Sequence, residues 1–145
     1  MDAALAFQLL NASVLPWWGV WLVAPRSRWA RRAASHAGIF LVLCAIYAVL
    51  IAAALAAGGG AALDFDGIRA ALATPVGFLA GWTHYLALDL FTGAWILRES
   101  RRLDLEPRPY LFFALLLAPI GLGAFLIRRV FRLRSFAQLG DNDLV

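Results

Sequence analysis

Residues 37–57, AGIFLVLCAIYAVLIAAALAA, decide how the rest of the chain is read. An α-helix rises about 1.5 Å per residue and needs roughly 20 apolar residues to cross the hydrocarbon layer, which this run supplies without a charge. Three further segments have similar character: 3–24, 76–97 and the shorter 110–127. Of the 145 residues, 63% are apolar and only 15% charged, and mean hydropathy is +0.76. A soluble domain is about half apolar and a quarter charged. The balance excludes a disordered chain, a disulfide-stapled secreted module and a nucleic-acid-binding domain. The expected fold is all-α: a polytopic membrane protein with four transmembrane helices in one small bundle, a single membrane domain over 1–145.

The polar residues between these segments set the expected topology. All 13 positive side chains are arginine. The first connection carries Arg26, Arg28, Arg31 and Arg32, and the third carries Arg98, Arg101, Arg102 and Arg108, whereas the second has Arg69 beside Asp64 and Asp66. Basic loops stay cytoplasmic, so both termini are expected outside, in a bacterial inner membrane. The tail arginines Arg128, Arg129, Arg132 and Arg134 oppose that arrangement. A fourth segment turning back at Pro119 and Gly121 would remove the conflict, but re-entrant backbone facing lipid is costly, and four spans are preferred. The first segment follows Asp2 with no basic residue, unlike a cleavable leader, and is kept as a span.

The glycines Gly58, Gly59 and Gly60 end the second helix. Phe65, Ile68 and Leu72 then predict a short interfacial helix at about 64–73. Asp64, Asp66 and Gly67 begin like a calcium loop but lack its later ligands. Ala45, Ala48, Ala52 and Ala56, and Gly77 with Gly81, are small-residue patterns that let helices approach, with a homodimer contact as the alternative use. Cys44 is the sole cysteine, so no internal disulfide can form.

Only the third segment places ionisable groups, His84 and Asp89, near mid-membrane. An aspartate there costs about 2.5 to 3.5 kcal/mol on insertion scales, and packing does not require it. Asp89 shares a face with Trp82 and Tyr85, and His84 shares another with Leu88, Phe91 and Trp95; the faces differ by roughly 140°. Both are expected to line one water-poor cavity together with Thr92. Depth matching pairs Asn11 with His84, and the carbonyl freed by Pro119 with Asp89. No metal site is expected, since His36 lies far from His84 in the chain, and no cofactor motif occurs. The lipid bilayer is a partner; nucleic acid is not.

The run Gly81-Trp-Thr-His-Tyr-Leu-Ala-Leu-Asp-Leu-Phe91 resembles the signature of a membrane family named after the abscisic-acid-deficient-four protein of plants, required for neoxanthin formation. Pro16 with Pro25, and Leu116 to Gly121 around Pro119, resemble further parts of it. Ala94 departs from the arginine expected in many bacterial members. The resemblance implies a carotenoid or apocarotenoid ligand and isomerase chemistry that opens an epoxide to an allenic alcohol with no net redox change. Such chemistry requires one group to protonate the epoxide oxygen and another to remove a proton from the polyene. Asp89 and His84 would fill these roles, Tyr85 would orient them, and Trp82, Phe91 and Trp95 would wall the polyene. The rival readings are a non-catalytic carotenoid-binding or assembly subunit and a small proton-coupled carrier. The alanine and arginine bias, without lysine, points to a high-GC bacterial genome.

Overall fold

A computed structural model describes residues 2–57, 64–134 and 136. The described residues form helices and connections without a strand: α1 Ala3–Val23, α2 Arg28–Ser35, α3 Gly38–Ala56, α4 Phe65–Leu72, α5 Pro75–Arg102, α6 Arg108–Leu116 and α7 Ala118–Leu133. Helix starts follow capping chemistry, in which a side-chain oxygen satisfies an orphan N–H. Asp2 caps α1, Ser27 α2, Asp64 α4 and Thr74 α5, the last followed by Pro75 in the first turn. The expected short helix at 64–73 is α4, and the triple glycine lies outside the described residues.

Helix α5 is the axis against which the others pack. Its buried side includes Leu79, Leu90, Ala94, Ile96 and Leu97. Gly93 is where α1 comes closest: a Cβ there would lie 2.6 Å from Trp18 Cη2 and 3.1 Å from Trp21 Cζ3, so both indoles rest on bare backbone. At the other end a Cβ on Gly81 would lie 3.0 Å from Leu72. The Gly77 and Gly81 face thus holds α4, while Ala45, Ala48, Ala52 and Ala56 remain exposed.

The segment 110–127, expected to cross as one helix, does not. It breaks at Leu117 (φ −151°, ψ 85°) and doubles back. A Cβ on Gly121 would lie 2.6 Å from the Tyr110 carbonyl oxygen, and the rings of Tyr110 and Phe125 are 5.3 Å apart. In a continuous helix the latter pair would be separated by about 22 Å. Pro119 helps to make the turn tolerable: it brings no N–H, while Ile120 and Gly121 both donate to the Leu117 carbonyl. The nine residues of α6 reach about 13 Å, less than half the hydrocarbon thickness.

After the turn, α7 runs parallel to α5. Trp95 meets Phe125 edge-on at 5.4 Å, Arg129 Nε donates to Glu99 at 2.8 Å, and Arg132 Nε donates to the Leu103 carbonyl at 3.3 Å. The start of α1 and the end of α7 therefore lie at opposite ends of α5. Other arginines tie the same end together. Arg26 pairs with Glu106 at 2.7 Å, Arg98 donates to Ala34 at 2.7 Å, Arg101 donates to Pro25 and Ser27, and Arg108 donates to Leu22 at 3.0 Å. Arg69 alone among the 13 arginines belongs to the other end.

Among the described residues, two runs, Ala3–Val23 and Arg28–Ala56, are long and apolar enough to cross a membrane. Helix α5, with 28 residues, has the length, but Trp82, Thr83, His84, Tyr85 and Asp89 dilute its apolar stretch.

Candidate functional site

The polar residues of α5 occupy the part of that helix that its neighbours leave bare. Helix α1 lies along the Trp82 and Gly93 side, and α3 packs on α5 with Tyr47 beside His84 and Phe40 against Phe91. Helix α4 closes over Gly81 at one end, while the α6–α7 hairpin covers Trp95 and Glu99 at the other. Between them is an uncovered sector. Tyr85 is 63% exposed and Leu88 52% exposed, with His84 exposed beside them and Asp89 and Thr92 half-buried.

Helical geometry gives this sector its shape. His84 and Asp89 are about 7.5 Å apart along the axis and roughly 140° apart around it; Tyr85, Leu88 and Thr92 fall inside that arc. The two titratable groups therefore flank one open ledge. They do not line the enclosed chamber expected from the sequence, because no helix among the described residues covers the ledge. Five pockets among the described residues are lined by other side chains.

On one flank, the His84 ring lies 5.5 Å from Tyr47 of α3 and 6.3 Å from Tyr85. Tyr47 was missed by the sequence reading; its only signal is a phenol in an otherwise apolar helix. On the other flank, no described side chain donates to Asp89. The pairings of residues 95 with 125 and 99 with 129, continued along the two parallel helices, set the turn at Pro119 at the level of Asp89 along the axis of α5. Pro119 thus shares a level with Asp89, through a turn instead of a kinked span, and no contact between the two is seen among the described residues. Pro119 itself is exposed.

The remaining candidates separate. Asn11 does not pair with His84, because α1 runs along a different side of α5; its Oδ1 accepts from Trp82 Nε1 at 3.3 Å, while its Nδ2 donates to the Phe7 carbonyl at 2.7 Å. The Trp82 ring packs on Phe7 at 5.0 Å and Phe78 at 6.1 Å, so it is a strut between α1 and α5. Trp95 is occupied by Phe125. Phe91 meets Phe40 edge-on at 5.9 Å, yet remains 53% exposed beside His84 and can still border the ledge.

Chemically, the ledge offers an imidazole, a carboxyl, a phenol and a hydroxyl along an apolar helix face that opens sideways.

A family model described as ABA DEFICIENT 4-like matches residues 5–125, from the first turn of α1 to Phe125 in the hairpin. No curated protein and no solved structure matches the chain.

Proposed function

The chain belongs to the ABA DEFICIENT 4-like family, and on that premise we propose that it is an integral membrane protein that binds, and converts, a carotenoid or apocarotenoid on the ledge between His84 and Asp89. The architecture that goes with this reading has three spans, α1, α3 and α5, and a re-entrant α6–α7 hairpin. The arginine-bearing end faces the cytoplasm and the start of α1 faces out. That arrangement puts twelve arginines on the inner side and Arg69 on the outer one.

The observation that carries the reading is the open sector itself. A polyene is a long, stiff, apolar molecule that resides in the bilayer, and the sector is apolar in outline and reachable from the bilayer. Two groups able to exchange protons flank it. Laid over Tyr85 and Leu88, such a ligand would have His84 on one side to take a proton from the carbon chain and Asp89 on the other to give one to an epoxide oxygen; Tyr85 would orient the reacting end. One proton leaves carbon and one arrives at oxygen, so the product is an isomer. The ligand itself would complete the shielding from water that a single chain does not supply.

The openness also favours a second reading, a carotenoid-binding subunit that presents its ligand to another protein. Expression in carotenoid-producing cells separates the two. For an enzyme, the native chain generates a new pigment isomer that His84→Ala and Asp89→Ala lose, while all three proteins still retain pigment on purification. Pigment retention with no new product supports the binding subunit. Absence of pigment from all three removes both readings.

A further inference from the structure

Away from the ledge, α1 and α2 enclose a groove of about 400 Å³. Pro16, Trp17 and Val20 of α1 form its apolar wall, while Trp29 and Arg32 of α2, with His36 just beyond, stand at its basic rim. Arg28 and Arg32 lie over the exposed Trp29 ring at 5.5 and 5.8 Å, a cationic plate held by an aromatic anchor at the level where a bilayer meets water. His36 adds a donor of definite direction. Its Nδ1 accepts from the Gly38 N–H at 3.0 Å, so the neutral ring carries its proton on Nε2.

A separate groove, about 300 Å³, is lined by Leu9, Leu10 and Ser13 of α1 and by Val42, Ile46 and Leu50 of α3. The α1 residues 9, 10, 13, 16, 17 and 20 recur at three- and four-residue spacing and so share one face of the helix. From Val20 to Leu9 is about 16 Å along the axis, which matches the roughly 15 Å depth of one hydrocarbon leaflet.

From this combination we infer that the α1–α2 groove is a binding site for an anionic phospholipid, with its phosphate on Arg32, His36 and the neighbouring Arg28, and one acyl chain along α1 toward Leu9. Charge selects the occupant. A zwitterionic lipid could lay the same chain in the groove but would bring a choline cation to the arginine rim. The inference rests on the membrane reading above and is independent of the carotenoid reading.

The test is native mass spectrometry of the full chain released from nanodiscs of equimolar dioleoyl phosphatidylglycerol and dioleoyl phosphatidylcholine. The native chain retains one phosphatidylglycerol, enriched about fivefold or more over phosphatidylcholine, the factor expected from roughly one favourable basic contact. Arg32→Gln/His36→Gln abolishes the enrichment, whereas Val20→Trp fills the groove and loses the retained lipid. Arg134→Gln, remote from the groove, changes neither. Equal retention of the two lipids by the native chain overturns the inference. So does undiminished phosphatidylglycerol on both groove variants, whose helicity is checked by circular dichroism. Failure of the native chain to enter nanodiscs would instead sink the membrane reading itself.

Discussion

At the scale of single residues, charge pairing and glycine contacts do most of the organising. Glu106 links Arg26 and Arg108 beyond the end of α5. Burial pushes its carboxyl up, but the hydrogen bond from Arg26 and the charge of Arg108 outweigh this and hold it below the usual glutamate range. A carboxyl depressed in the folded state contributes stability above its unfolded value, about 4.3, and that contribution is lost as pH falls through the lower folded value. Thermal unfolding in detergent should therefore distinguish native protein from Glu106→Gln at pH 7, with the native chain more stable. The two curves should converge below about pH 4; a gap independent of pH would show that the pair acts through shape and not charge. The effect is small, since both partners are partly solvated.

Among the elements, the hairpin is the most exposed to a single change. Gly121 lies against the Tyr110 carbonyl and the Ala114 backbone, neither of which can rotate away as a side chain would. Gly121→Ala must separate α6 from α7, and a cost of about 1–3 kcal/mol is expected for such overpacking. Gly123→Ala is the matched control, because nothing lies within 4 Å of the added carbon. Calorimetry of the two variants should show a lowered midpoint for the first alone. Equal midpoints would mean that the helices do not meet at Gly121.

For the whole molecule, the proposed three-span topology makes a prediction that four spans do not. With Cys44 replaced by serine, single cysteines at Asp104 and Arg134 should react with a membrane-impermeant maleimide from one side. A cysteine at Asp66 should react from the other. Labelling of positions 104 and 134 from opposite sides would restore a fourth crossing. The same placement explains the tail arginines, which conflict with a four-span chain and agree with a hairpin that returns them to the end holding Glu99 and Leu103.

Much of this was legible in the chain itself. Long uncharged runs announce helices whatever surrounds them, because an apolar segment must bury its backbone hydrogen bonds internally; α1, α3 and α4 follow from composition and caps alone. His84 and Asp89 stood out for the same reason, as groups with an energetic cost among apolar neighbours. The course of residues 110–127 was not legible, since an apolar stretch of that length reads alike whether it crosses or doubles back. What decides it is the approach of Gly121 to Tyr110 and of Arg129 to Glu99, contacts between residues distant in sequence. Nor could spacing say which face of α5 its neighbours would cover. Periodicity locates His84 and Asp89 on their helix, but the partners of Asn11 and Trp95, and the bare sector that Tyr85 shares, depend on how α1, α3 and the hairpin divide the surface of α5 among them.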